Sequence, residues 1–281
     1  METTSDNFNP SKSYYQKDKL DIDSWFHVTQ IDYEKLIEQY SFENLFKAFD
    51  KTQLKLLDIG CGTAKFPSLL DPKISGNIHC SVDLLDISEY CLQVAQKEYD
   101  SLKHFRTDNI YLSAAENIHD SVHQSRSYDM IWAIHSLCTI DKNQLGNIYR
   151  SCWNLLKSNG KFLIYQLAQN SSYYKLYSFY VSHSEPQQNS TTNLLTSEEH
   201  KQLLDLLGIN YETIKVHFTH TINCNCQNLL EVYLKKSILD NTLDVLSFFR
   251  HTLEEHFDED KNQYRFDQEV DLLIIEKLSN I

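Results

Sequence analysis

A chain of 281 residues with 41% hydrophobic and 12% aromatic side chains can bury one sizeable α/β core, which excludes a protein disordered throughout. Its net charge of −13 works against a nucleic-acid partner, whose affinity comes largely from Lys and Arg displacing counterions, and leaves room for a cationic substrate. Seven scattered Cys, an odd number, read as reduced thiols; with no basic patch and apolar run at the start and no membrane-length apolar stretch, the expectation is a cytoplasmic protein without a membrane partner.

Residues 1–50 open polar and continue with an apolar-periodic stretch through Trp25, Phe26, Ile31, Leu36, Ile37, Phe42, Leu45 and Phe46, which predicts one or two helices as an N-terminal cap. The first strong strand is 54–59 (LKLLDI), ended by Gly60 and followed by a helical segment through Phe66 and Leu70. A second strand, 78–85, leads into a helix over 88–99 with Ser88 as N-cap. A third, short strand lies around Phe105 or Tyr111, and a fourth is 128–134 (YDMIWAI). A helix over 143–156 ends at the Ser158-Asn159-Gly160 turn, and 161–167 is a fifth strand. An aromatic helix over 171–181, a polar loop over 185–193, and a helix starting at Thr196-Ser197-Glu198-Glu199 and ending at Gly208 come next. Strands at 211–220 and 270–275, separated by a helical insertion over 229–256, close the sheet as a late pair. Alternation of this kind predicts a doubly wound, mostly parallel seven-stranded sheet whose last strand is antiparallel, in one domain over 51–281 with active-site helices in 171–208.

The sharpest chemical signal is LLDIGCGTAKF, which puts Asp58, Gly60 and Gly62 at a strand-to-helix turn. Glycine there lets a ligand approach the backbone or supplies positive φ, and a carboxyl strand end is where open α/β sheets bind ligands. Ala64 replaces the third glycine of a pyrophosphate-binding loop, which argues against a dinucleotide. An acid at the end of the second strand can accept hydrogen bonds from two ribose hydroxyls. Asp83 and Asp86 compete for this, and Asp86, next to the Ser88 cap, is favoured. His217, His220, Cys224 and Cys226 have metal-ligand chemistry but a spacing that fits no usual structural zinc site, so no metal is assigned. The acidic stretch 254–263 reads as a solvated loop, lacking the glycine of a calcium loop.

In LLDIGCGTAKF, DISEYCL, SAAENI, YDMIWAIHSL and LLKSNGKFLI, in that order, the chain resembles the class I S-adenosylmethionine-dependent methyltransferases. The resemblance implies that Gly60 and Gly62 pass under the methionine part, Asp86 holds the ribose, Ala115 lies by the adenine, and Ile134 and His135 border the methyl donor. Ala114 stands where many members carry an acid for the adenine amino group, and Glu116 or Ser113 would substitute for it. A narrower resemblance, to the histamine N-methyltransferases, runs through YDMIWAIHSLCTID, NSSYYKLYSFY, LLTSEEHKQLLDLLGINYE and FDQEVDLLIIE. It implies substrate contacts at Tyr15, Tyr173, Tyr177 and Gln268, places His135 where the family has a glutamine, and puts Cys138 and Thr139 in place of aromatic residues. The family's acidic amine contact has no clear counterpart in the N-terminal segment, where His27 lies nearby.

Tyr173 and Tyr177, four apart, share one helix face, where they either flank a ligand or pack into the core. His135 either acts as a general base or is a hydrogen-bonded histidine at a strand end. The expected activity is methyl transfer to a small molecule, at an amine or imidazole nitrogen. The alternatives are an oxygen acceptor (carboxylate or hydroxyl), a protein methyltransferase, and a non-catalytic cofactor-binding regulator.

Overall fold

The structure is a computed structural model describing residues 22–123, 127–184 and 194–278; Tyr15 lies outside them. Among these residues the strands are β1 (Gln53–Ile59), β2 (His79–Asp86), β3 (Phe105–Leu112), β4 (Tyr128–Ile134), β5 (Leu156–Leu167), β6 (Tyr211–Asn223), the two-residue β7 (Phe257–Asp258) and β8 (Gln263–Glu276). They form one sheet in the order β3-β2-β1-β4-β5-β8-β6, with β7 paired to β8. β1 to β5 are mutually parallel and β8 is antiparallel to both its neighbours. The expected doubly wound sheet is therefore present, with β7 as an eighth strand too short to leave a pattern in the sequence.

Two boundaries differ from the sequence-based expectation. The helix before β5 stops at Leu155 and the strand starts at Leu156, with Ser158-Asn159-Gly160 inside it. The pairing jumps from Tyr128↔Leu156 to Met130↔Lys161, so these polar residues are an irregularity within a strand and not a turn before one. The second difference is the length of the last pair. β8 leaves β5 at the Leu167↔Val270 pair, but its ladder with β6 runs on to Asn223↔Gln263. This two-stranded overhang rises past the carboxyl ends of the parallel strands. It alternates buried and exposed residues, the pattern of a strand covered on one face only, which a search for continuous apolar runs passes over.

Helices cover both faces. α1 (Ile22–Gln39), α2 (Phe42–Lys47), α3 (Lys65–Leu70) and α4 (Glu89–Ser101) pack on one side around Leu36, Phe46, Phe66, Tyr99 and Trp132. The Ser88 side chain accepts from the Cys91 amide at 3.2 Å and starts α4, as the sequence indicates. On the other face α5 (Ile118–Ser121), α6 (Leu145–Leu155) and α8 (Ser197–Leu206) bury Ile118, Ile148, Cys152 and Leu204, while α7 (Ser172–His183) packs toward the overhang. α8 begins at a capping box in which the Thr196 amide donates to the Glu199 carboxylate at 2.9 Å. The insertion is α9 (Gln227–Ile238), α10 (Val245–Phe248) and α11 (Arg250–Glu255). With α1 and α7 these helices close a separate apolar cluster over the overhang, through Val28, Leu176, Tyr233, Phe249, Ile222 and Phe266. No helix among the described residues is long and apolar enough to cross a membrane.

Candidate functional site

A cavity of ≈ 280 Å³ crosses the carboxyl ends of the strands, from β2 to the β6–β8 overhang, beneath α1, α7 and α9. It spans the place between β1 and β4 where the strand order reverses, the usual ligand crevice of such sheets. Its floor is the turn after β1. The amides of Gly60 and Cys61 donate to the Leu85 carbonyl at 2.7 and 3.3 Å, tying the loop to the end of β2. Gly60, Gly62 and Ala64 all have positive φ, of 65°, 51° and 58°. The two glycines are needed for different reasons. A Cβ on Gly60 would lie 2.4 Å from the Ser136 Cβ, whereas one on Gly62 would meet nothing within 4 Å. A side chain at Gly60 would strike the loop after β4, and Gly62 is the glycine with open space above it.

The two competing aspartates part company. Asp86 lines the cavity at the end of β2, its carboxylate accepting from the Gly62 amide at 2.9 Å and the Ser88 amide at 2.8 Å. Burial raises its pKa, while these two amides work the other way. Asp83 is fully buried and away from the cavity; Asn109 donates to it twice, at 3.1 and 2.8 Å, Tyr128 donates its hydroxyl, and the Lys55 ammonium lies 3.5 Å away. Asp58 sits under the cavity with its carboxylate accepting from the Tyr99 hydroxyl at 2.7 Å. Burial pushes its pKa up to about 7, against the pull of its hydrogen bonds. Ala115, Glu116 and Ser113 line the end beyond β3; Ala114 does not.

His135, at the end of β4, has φ 54° and faces the cavity beside Ile134. Its Nε2 lies 2.6 Å from Oδ2 of Asp32 on α1, and the Tyr165 hydroxyl donates to the other oxygen at 2.5 Å. A carboxylate only accepts, so Nε2 carries the proton and the ring's lone pair is at Nδ1. Tyr173 and Gln268 line the same chamber: the Tyr173 hydroxyl donates to the Lys236 carbonyl at 2.7 Å, and its amide donates to Gln268 Oε1 at 3.4 Å. Tyr177 does not line it. It packs with Leu167 and Leu194, because the helix face shared by residues four apart is split here between the chamber and the core.

Trp25, Asp32, Phe218, His220 and Lys236 are among the chamber residues that were not assigned to a site in the sequence. On α1 the signal is present, since Trp25, Thr29, Asp32 and Tyr33 recur at helical spacing and all reach the cavity, so that polar groups interrupt what reads as an apolar stripe. His27, by contrast, is exposed. His220 and Lys236 left no such signal. His217 and His220 lie on opposite faces of β6, so they do not converge on one metal.

Residues 57–162 match a family described as a methyltransferase domain. Among solved structures, the chain is similar to a protein of Bacillus halodurans described as a methyltransferase (16% identity, covering 82% of this chain and 94% of that one, TM-score 0.56). It is also similar to a plantazolicin methyltransferase solved with a triazolic desmethyl analogue and S-adenosylhomocysteine (18%, 96% and 96%, TM-score 0.51). A third is the geranyl diphosphate C-methyltransferase of Streptomyces coelicolor (10%, 92% and 82%, TM-score 0.50). At these identities the likeness is one of fold. None of the curated proteins compared with the sequence matches it.

The turn geometry sets the first test. Gly60→Ala forces a methyl into Ser136 and should lower the melting temperature far more than Gly62→Ala, which meets only the positive-φ penalty of about 1 kcal/mol. Ser136→Gly should recover part of the Gly60→Ala loss. Equal melting temperatures for the two alanine variants would show that the Gly60–Ser136 approach does not constrain the fold.

Proposed function

Taking the chain as an S-adenosylmethionine-dependent methyltransferase, we propose that it methylates a small-molecule amine or imidazole nitrogen in the chamber under α1, α7 and α9. The observation that carries this reading is the Asp32–His135 pair, a base held in one tautomer at the edge of the chamber. The residues also suit the donor, whose chemistry is an electrophilic methyl on a sulfonium sulfur. Asp32, Asp58, Asp86 and Glu116 all border the cavity, an acidic lining suited to a cation, and Gly62 leaves room at the turn. In this reading Asp86 accepts from the ribose hydroxyls, Gly60 and Gly62 run beneath the methionine part, and Ala115 flanks the adenine with Ser113 or Glu116 for its amino group. Ile134 and His135 border the methyl. Residues 1–50 act as a cap on a domain over 51–281.

The chain's own work is alignment and proton handling. Trp25, Tyr173 and Phe218 wall the acceptor and exclude water. His135 Nδ1 takes the proton that the nitrogen loses, and Asp32 stabilises the imidazolium that results, the division of labour of a carboxylate–histidine pair. The structural neighbours hold different compounds, geranyl diphosphate in one and a triazolic analogue in another, and the walls of this chamber support the class of acceptor. An oxygen acceptor remains the alternative: a hydroxyl would use the same base.

Asp86→Ala should weaken S-adenosylhomocysteine binding by about 2–4 kcal/mol and lower the unfolding free energy by less than that, because its protein partners are two part-buried loop amides. Asp83→Ala should do the reverse, costing about 2–4 kcal/mol of stability by removing the acceptor of the Tyr128 hydroxyl and of both Asn109 donors. Calorimetry and urea unfolding rank the two; a larger affinity loss at Asp83 would overturn the assignment.

Asp58 gives a pH dependence. With its carboxyl titrating near 7 in the free protein, a neighbouring cation favours its charged form. Affinity for S-adenosylmethionine, which carries the extra sulfonium charge, should therefore rise relative to S-adenosylhomocysteine as pH goes from 6 to 8, and flatten beyond. Asp58→Asn should remove the slope. A ratio that stays constant in the wild type would rule Asp58 out as its source.

For the base, His135→Asn and Asp32→Asn should each lower kcat by about 10²–10⁴, with S-adenosylhomocysteine affinity kept within a few-fold. A kcat within a few-fold of the wild type in His135→Asn would leave His135 without a role as the base.

A further inference from the structure

Gln268, Tyr233 and His220 form a chain of hydrogen bonds with one direction. The Gln268 amide is oriented by its ends: Oε1 accepts from the Tyr173 amide at 3.4 Å, and Nε2 donates to the Phe266 carbonyl at 3.2 Å. Nε2 also donates to the Tyr233 hydroxyl oxygen at 3.1 Å. Tyr233 is fully buried, and the acceptor within reach of its own proton is His220 Nδ1, at 3.1 Å. His220 therefore accepts at Nδ1 and carries its proton at Nε2. Burial pushes the His220 pKa down to about 4, so the ring is neutral and holds that single proton.

The Nε2 proton has no hydrogen-bond partner among the described residues, although His220 is only 4% exposed. His104 and His200 also have an unpartnered Nε2, but neither lines the cavity; His220 does. A buried donor without an acceptor costs free energy that a bound group can recover. One turn along α9 from Tyr233, on the same face, Lys236 also lines the cavity, its ammonium 5.8 Å from the centre of the Trp25 ring. This part of the chamber thus offers an N–H donor and an ammonium whose pKa burial pushes down to about 8, both within the chamber that holds Asp32 and His135. Asp32 acts on His220 by charge, while its two oxygens accept from His135 and Tyr165.

We propose that His220 and Lys236 form a subsite for an oxygen anion of the methyl acceptor, so that the acceptor is a carboxylated amine or imidazole compound and not a simple amine. This rests on the reading of the chamber as the acceptor site. The nitrogen end faces Asp32–His135 and the carboxylate faces the β6–β8 overhang. Discrimination would follow from polar groups left unpaired when the carboxylate is missing.

Two matched series test it on the protein saturated with S-adenosylhomocysteine: phenethylamine, phenylalanine and 3-phenylpropionate, and histamine, histidine and 3-imidazolepropionate. Calorimetry should show the carboxylated members of at least one series binding about tenfold or more tightly than its simple amine, the size of a charge-assisted hydrogen bond. His220→Phe should abolish that preference, and Lys236→Met should reduce it, with S-adenosylhomocysteine affinity kept within about twofold as the check on folding. Tyr233→Phe, which frees the tautomer without removing the ring, should give a milder loss. Equal or tighter binding of the simple amines in both series, or a His220→Phe loss shared by all members, would overturn the subsite. Labelled-methyl transfer to the same compounds separates the two readings: no methylated nitrogen, with His220-dependent carboxylate binding intact, would sink the nitrogen acceptor and leave the subsite standing.

Discussion

The amides of Gly60 and Cys61 converge on the Leu85 carbonyl, and the amide of Gly62 reaches on to Asp86. By these bonds the chain leaving β1 is turned across the end of β2 before it enters α3, and the groove above the strands stays open. A conventional tight exit would drive α3 over the same space. The turn requires three successive alternate residues in the left-handed region, and two of them are glycine. Asp86 is fixed by the same turn, so the floor of the crevice and its main acid are one construction.

The far wall is built by a different device. β6 and β8 satisfy each other's backbone groups beyond the last residue of β5, with only the two residues of β7 added at the far end, which lets a ribbon stand above the sheet. Its covered face carries Phe218, His220, Phe266, Gln268 and Val270, and α9 lays Tyr233 against it, stacked on Phe266 at 4.7 Å and on Trp25 at 5.6 Å. α1 contributes Asp32 from above. The chamber therefore draws on elements more than two hundred residues apart in sequence, brought together by the antiparallel end of the sheet.

This division explains what could be read beforehand. β1, β2 and β4 are buried on both faces and announce themselves as apolar runs, and Gly60, Gly62 and Asp86 sit at fixed offsets from them; these are local signals. His135 and Ile134, at the end of β4, were placed through the family resemblance. The acceptor wall gave only half of itself. Tyr173 and Gln268 were found through a resemblance, Tyr177 was left open between ligand and core and packs into the core, His220 was weighed only as a metal ligand, and Asp32 and Lys236 were not found at all. A polar residue on an amphipathic helix or a one-sided strand looks solvent-facing until tertiary packing buries it, and nothing in its neighbours' identity records which helix will be laid on top.

His135 holds a backbone conformation that costs an ordinary L-residue about 1–2 kcal/mol and costs glycine nothing. Glycine would relieve that strain but would leave the buried Asp32 carboxylate without its His135 partner, a cost of similar size. Position 135 is therefore a compromise in which backbone strain is offset by a side-chain bond reaching across to α1. In a laboratory evolution for heat tolerance, a change to glycine here should be accepted only together with a change at Asp32, so that the two positions would move as a pair.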